Sequence, residues 1–298
     1  MVKDKELHNL VALFDDPDEV VIQAVNKSML SRGDKVLLDL RDLEEEMPEH
    51  KDIIEEKYGY LNAEFRLKEF ERYFDSGKND LEEGFAILSS LLNPYCSKQE
   101  FYDKVTSLSL DYLCEINDER TAIENVRIFN HIFFNRLKFS ISMNREPLES
   151  LARIDMVMDS REGNPLTLSS IYFILARESG LGIYPFCFPG GMIPVYRENG
   201  KNLFFINIFK EGDIFFEDRL RYFLKQHGFE VAMDDFEIRE DNILLSVYLA
   251  SLKITYEQNG DVWSSSVVDR ALRMTGEEQF LSDFGDDESE EEGGDPDY

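Results

Sequence analysis

The sequence predicts an α+β fold, and three observations carry this prediction. Apolar residues recur at helical spacing through most of the first 140 residues, which predicts a helical N-terminal region. A further helix is predicted over 166–178, because Pro165 precedes it and Gly180 follows it. Three short apolar runs come next, at 183–188, 192–196 and 203–208, and turn-forming segments separate them. An antiparallel sheet packed against that helix forms an α+β core.

Before this core, the apolar spacing predicts helices over 6–46 (with turns at 15–18 and 31–34), 49–75, 78–92, 97–117 and 121–137. Asp80 is a predicted N-cap, and Thr121 with Glu124 fits a capping box. The Asp-Asp-Pro-Asp turn at 15–18, followed by an apolar helix and Gly33, resembles one HEAT-type repeat. A single repeat unit is weak support, because stable solenoids stack several.

After the core, two further helices are predicted over 242–257 and 262–274, joined by an Asn-Gly-Asp turn. This pair resembles a tetratricopeptide-like hairpin. Residues 283–298 carry nine acidic residues and no Lys or Arg, so disorder is predicted there, as a functional arm or as a solubilising tail. The predicted domains are therefore a helical HEAT-like region at 1–120, a core at 121–232, a helical hairpin at 233–282 and an acidic tail at 283–298.

Composition excludes several function classes. The chain has 298 residues and a formal net charge of −29, which argues against binding nucleic acid or an anionic membrane surface. The N-terminus lacks the apolar core of a signal peptide, and no apolar run reaches the ~20 residues of a membrane span. Three widely spaced cysteines form no metal-ligand motif, so no metal and no cofactor are predicted. These features predict a cytoplasmic protein.

Residues 121–274 contain motifs, in order, that resemble bacterial transglutaminase-like proteins of the SirB type. The matching motifs are Ile-Phe-Asn-His at 128–131, Arg-Glu-Gly-Asn-Pro-Leu-Thr-Leu-Ser at 161–169, Ala-Arg at 176–177 with Gly180, Phe-Pro at 188–189, Phe-Ile-Asn at 205–207 with Gly212, and the final helical pair. The resemblance implies a helix that carries a nucleophile at its start, followed by strands that carry its partners.

Enzymes with this architecture use a Cys at the helix start, and a His and an Asp on the following strands. The resemblance places Pro165, Gly191 and Asn207 at these three positions. None of the three side chains can supply the chemistry of the Cys, His or Asp. The residues at these three positions therefore favour a protein that is not an enzyme, and the enzyme alternative stays open.

Two hypotheses follow. The first is a non-catalytic transglutaminase-like module that binds or scaffolds a protein or peptide partner. Its candidate cleft residues are Arg161, Asn164, Ser169, Gly191, Asn207 and His131, although Asn164 can also cap the helix, Arg161 can also fix the loop, and His131 can also be structural. The alternative is a hydrolase or acyltransferase of altered mechanism, with His131 or Cys187 at a non-standard site. Cys187 is interpreted as a buried apolar residue. The sequence identifies no ligand or oligomeric state.

Overall fold

The computed structural model describes residues 5–78, 80–144, 146–188, 191–226 and 242–276. Within these ranges the chain forms α-helices and two small sheets. The helices are α1 Lys5–Val11, α2 Glu19–Ser31, α3 Lys35–Glu46, α4 Lys51–Asp75, α5 Leu81–Leu92, α6 Lys98–Leu113, α7 Ala122–Asn130, α8 Glu149–Ala152, α9 Ile154–Ser160, α10 Pro165–Glu178, α11 Glu217–Gln226, α12 Asn242–Gln258 and α13 Val262–Met274. The strands are β1 Ser140–Ile141, β2 Glu162–Gly163, β3 Ile183–Phe188, β4 Gly191–Glu198, β5 Lys201–Asn207 and β6 Asp213–Phe215.

Several helices begin where the sequence places their caps. The Asp80 carboxylate accepts a hydrogen bond from the Glu83 N–H, 3.0 Å away, at the start of α5. Thr121 and Glu124 form the predicted capping box of α7. Each such bond satisfies a backbone donor that a helix start leaves unpaired, which is why the local sequence is sufficient to place these starts.

The helix predicted over 121–137 changes its geometry partway. It is α-helical to Asn130 and continues as a π-helical turn from His131 to Arg136. Such turns are rare, and they frequently occur at functional sites. At this junction His131 is exposed and Asn130 is buried.

The larger sheet is an antiparallel meander in the order β3-β4-β5-β6. Glu198 pairs with Lys201, so the β4–β5 turn is formed by Asn199 and Gly200 alone and is tighter than the predicted 198–202 loop. Both turn residues have positive φ, 49° and 76°, the conformation of a type I′ hairpin turn. The short edge strand β6 was not predicted.

A second, two-stranded sheet pairs β1 with β2 in parallel, with Ser140 opposite Glu162 and Ile141 opposite Gly163. This sheet was also not predicted, because two residues are too few to form an alternating pattern. It holds the segment between α9 and α10 against the chain that follows the π-helical turn.

The central helix of the fold is α10. From Thr167 to Ala176, every residue except Ser169 is buried. A helix that is apolar on all sides belongs in the interior, and α10 packs against α6, α9, α12 and β3. The surrounding apolar cluster extends from Ala63 in α4 to Ala271 in α13. The α+β fold class is therefore confirmed.

Two further apolar clusters lie beside this main one. The first, from Leu7 to Phe65, is formed by α1, α2, α3 and the first half of α4. The second lies between the sheet and α11 and includes Phe186, Phe205 and Leu220. Because α4 is 25 residues long, it contributes to the N-terminal cluster with one half and to the main cluster with the other. The predicted domain boundaries stay a prediction, and the tail at 283–298 lies outside the described residues.

Two apolar residues of the helix predicted over 97–117 are exposed. Leu110 and Leu113 on α6 are 57% and 63% exposed, because the buried face of α6 instead carries Phe101, Val105, Leu108 and Tyr112. None of the helices within the described ranges combines the length and the apolar character needed to span a membrane.

Candidate functional site

The segment from α9 to α10 positions the first candidate residues. Arg161 ends α9 in the left-handed conformation, with φ 67°. Its N–H donates to the Val157 carbonyl, and its carbonyl accepts from the Ser140 N–H, each at 2.9 Å. A residue with a Cβ is strained in this conformation, and these two backbone bonds hold it there.

The Arg161 side chain is half-buried, and its guanidinium lies over the Phe139 ring, 4.9 Å from the ring centroid. It forms no hydrogen bond or ion pair with any residue of the described part of the chain, and its Nη1 is buried without a partner. Burial lowers the pKa of Arg161, while the nearby Asp159 and Tyr112 act in the opposite direction. Asp159 itself pairs with Lys104, at 2.7 Å.

At the start of α10, the polar side chains are occupied by local bonds. The Asn164 side chain accepts from the Thr167 N–H at 2.8 Å and thereby caps the helix. The Thr167 hydroxyl donates to the Ala152 carbonyl at 2.8 Å. The Ser169 hydroxyl donates to the Pro165 carbonyl at 2.7 Å. The first turn of α10 is therefore held by local hydrogen bonds, and its hydroxyl groups donate to backbone carbonyls.

A buried hydrogen-bond network joins α7, α10 and the turn between β5 and β6. The Asn130 side chain donates to the Gly212 carbonyl and accepts from the Tyr172 hydroxyl, each at 2.6 Å. Gly212 has φ +79°, and a Cβ there would lie 2.3 Å from Asn130 Cγ. Sequence reasoning did not include these three residues in the site, although Asn130 and Gly212 both lie in motifs that carry the resemblance.

Asn207 is near this network. It is half-buried at the end of β5, opposite Asp213 of β6, and its carbonyl accepts from the Gly212 N–H at 2.9 Å. Gly191 opens β4 opposite Phe188. The two residues of the intervening loop, 189 and 190, lie outside the described residues. The structure thus links Asn207 to α10 through Gly212 and Asn130, but no described hydrogen bond links Arg161 to Asn207 or Gly191.

The candidate histidine and cysteines lie in separate environments. His131 is exposed, and its Nδ1 is 3.1 Å from the Asn135 side-chain oxygen. Cys187 is buried within β3, opposite Met192, as the sequence interpretation expected. Cys114 is exposed, and Cys96 is half-buried. Burial raises the pKa of Cys96, which disfavours the thiolate.

Tyr112 on α6 is a further residue that sequence reasoning did not include in the site. It is fully buried and stacks on Phe129, with ring centroids 4.5 Å apart, yet its hydroxyl has no partner among the described residues. Burial raises the pKa of Tyr112, whereas the charge of Arg161 lowers it. Ser109, one turn earlier on α6, is also buried with an unpartnered hydroxyl. The Tyr112 hydroxyl and Arg161 Nη1 are therefore both buried without a hydrogen-bond partner among the described residues.

Within the described ranges, no three His, Cys, Asp or Glu residues are grouped so that they could hold a metal ion. Two donors, Arg161 Nη1 and the Tyr112 hydroxyl, are buried without a hydrogen-bond acceptor among the described residues.

A comparison with known families finds a match in the middle of the chain. Residues 99–242 match the model of the Transglutaminase-like superfamily. The match begins within α6 and ends where α12 begins, so it includes α10, the meander and the Asn130 network. No curated protein and no solved structure matches the chain.

Proposed function

We propose that the transglutaminase-like domain at residues 99–242 is a non-catalytic module that binds a protein or peptide partner. The observation that carries this proposal is at the start of α10. Pro165 occupies its first position, and the Asn164 and Ser169 side chains are bonded within the helix. The neighbouring Arg161 has a half-buried guanidinium with no acidic partner among the described residues. Among the described residues at this helix start, Arg161 can bind a ligand, whereas Pro165, Asn164 and Ser169 supply no free nucleophile.

The location of the cysteines and of His131 supports a binding role over the hydrolase alternative. A catalytic thiol needs a lowered pKa and a base within hydrogen-bond reach. Cys187 lies inside a strand rather than at a helix start, and burial raises the pKa of Cys96. His131 contacts Asn135 on the exposed side of its helix. No observation specifically favours the hydrolase or acyltransferase reading.

The test is a capture experiment with the full chain as bait in bacterial lysate. The informative variant is Arg161→Gln, which removes the charge and leaves the helix cap intact. Arg219→Gln is the matched control, because it also removes one arginine, here an exposed one that pairs with Asp213 at 3.3 Å. Thermal unfolding of each bait establishes that it is folded before capture.

The proposal expects a partner that the wild-type and Arg219→Gln baits retain and the Arg161→Gln bait loses. Absence of any specific partner would contradict it. Incorporation of an amine into a glutamine-containing protein, lost in the Cys187→Ala variant, would instead establish the enzyme reading.

A further inference from the structure

We propose that Arg161 and Tyr112 together bind a carboxylate group, and that this carboxylate belongs to the partner of the proposed binding module. The inference rests on that proposed function and adds the chemistry of the ligand. Three features of the structure support it, namely unused donors, their surroundings and the charge of the chain.

The first feature is that both residues have buried donors that are left unbonded. Buried polar groups in native proteins are almost always hydrogen-bonded, because an unpaired one loses its hydration without compensation. Arg161 Nη1 and the Tyr112 hydroxyl are both buried without a partner in the part of the chain that the structure describes. A ligand acceptor would satisfy both donors, and an oxyanion can accept hydrogen bonds from several donors at once.

The second feature is the chain of aromatic rings beneath these groups. Tyr112 stacks on Phe129, Phe129 contacts Phe133, Phe133 stacks on Phe139, and Arg161 lies over Phe139. Phe139 is 1% exposed. These rings hold the guanidinium in place without neutralising it, and their low polarity strengthens any ion pair that it forms.

Neighbouring cationic side chains, unlike Arg161, form ion pairs with acidic residues. Lys104 pairs with Asp159, and Arg136 pairs with Glu115 at 2.6 Å and contacts Asp111 at 3.8 Å. The chain has 61 acidic residues to 32 basic ones, so acidic partners are abundant. Arg161 nevertheless has none within the described ranges, which leaves its charge available to a ligand.

The third feature, net charge, selects the type of oxyanion. A chain with formal charge −29 repels anions in proportion to their charge. One guanidinium balances one negative charge. A carboxylate carries one and matches the bidentate geometry of an arginine, whereas a phosphate monoester carries more. The expected ligand group is therefore a carboxylate, from an acidic side chain or from a peptide C-terminus.

The experiment measures the thermal midpoint of the full chain at pH 7 in 0.3 M sodium acetate and in 0.3 M sodium chloride. Acetate is the probe, and the gain in acetate over chloride is the readout. Arg161→Gln removes the guanidinium, Tyr112→Phe removes only the hydroxyl, and Arg219→Gln is the control. Because acetate also stabilises proteins nonspecifically, only the difference in gain between variants is interpreted.

We expect the wild type and Arg219→Gln to gain roughly 2–5 °C more than Arg161→Gln, because ligand that binds the folded state raises the midpoint. Tyr112→Phe should be at least as stable as the wild type in chloride, since it loses an unpaired buried hydroxyl, and should show a reduced acetate gain. Equal gains in the wild type and Arg161→Gln would overturn the proposal. So would a gain that Tyr112→Phe retains in full.

Two larger probes distinguish the sources of the carboxylate. N-acetylglycine presents a C-terminal carboxylate, and the α-amide of N-acetylglutamate presents only a side-chain carboxylate.

Failure of this proposal is distinguishable from failure of the binding function. A captured partner that Arg161→Gln still retains would overturn the carboxylate proposal and leave the binding module standing, whereas no captured partner removes the binding module itself.

Discussion

The Asn130 side chain donates to the Gly212 carbonyl, 2.6 Å away across 82 positions of sequence, and this bond joins the helical layer to the sheet. The same side chain accepts from Tyr172, the buried tyrosine in the middle of α10. One amide thus fixes the central helix relative to the turn that follows Asn207. Four predictions follow from this network, from the helix cap and from one carboxylate pair.

Substitution of Gly212 by alanine should destabilise the protein more than the same substitution at Gly200. Both glycines have positive φ, +79° and +76°. A Cβ at Gly200 meets nothing within 4 Å, so Gly200→Ala incurs only backbone strain, about 1–2 kcal/mol. A Cβ at Gly212 also collides with Asn130, and Gly212→Ala should cost about 2 kcal/mol more. Urea unfolding of both variants measures this, and equal losses would contradict it.

Asn130→Ala should lower the free energy of unfolding by about 2–4 kcal/mol, because it leaves the Tyr172 hydroxyl and the Gly212 carbonyl buried and unpaired. The control is Asn135→Ala, an exposed asparagine on the following turn. Tyr172→Phe should relieve part of the loss when added to Asn130→Ala, since it removes one unpaired group. A double-mutant cycle in urea measures this coupling, and strictly additive losses would argue against the network.

Asn164→Ala should cost about 1 kcal/mol, because the Asn164 side chain caps α10 through the Thr167 N–H. Asn164→Asp keeps an acceptor at the cap and should change stability by no more than a few tenths of a kcal/mol. The midpoint of urea unfolding measures both. If the two variants lose the same amount, the side chain of Asn164 has a role other than capping.

Glu82 on α5 should make stability depend on pH near neutrality. Burial, then the charges of Glu178 and Asp80 and a hydrogen bond with Glu178, raise the pKa of Glu82 to about 7. The folded state therefore binds this proton more tightly than the unfolded state does. The resulting stability is present below the unfolded pKa, near 4.5, and is lost as pH rises towards about 7.

Glu82→Gln should remove this dependence. The variant should match the wild type at pH 4 and exceed it at pH 8, by about 1 kcal/mol once solvent screening is allowed for. Glu83→Gln is the control, because its neighbouring carboxylate pairs with Lys78. Unfolding in urea at both pH values tests the effect, and parallel behaviour of the two variants would show that Glu82 does not titrate in this range.

Much of the local structure was predictable from short-range patterns, although the π-helical turn at 131–136 and the strands β1, β2 and β6 were not predicted. Asp80, Thr121 and Asn164 mark helix starts because capping depends on residues three or four positions apart. The apolar spacing of 242–257 and 262–274 located α12 and α13 to within a residue at each end. The same local patterns carried the resemblance to transglutaminase-like proteins, which the match over 99–242 supports at the level of the superfamily, while the SirB type stays a prediction.

Only the tertiary structure decided which groups meet. The bond from Asn130 to Gly212, the unpaired hydroxyl of Tyr112 and the guanidinium of Arg161 over Phe139 all depend on residues distant in sequence. Tyr112 has apolar spacing on its helix, so the sequence could assign it to the core but could not show that its hydroxyl lacks an acceptor. A hydrogen bond or ion pair forms only at contact distance, and packing α6, α7 and α10 together sets those distances.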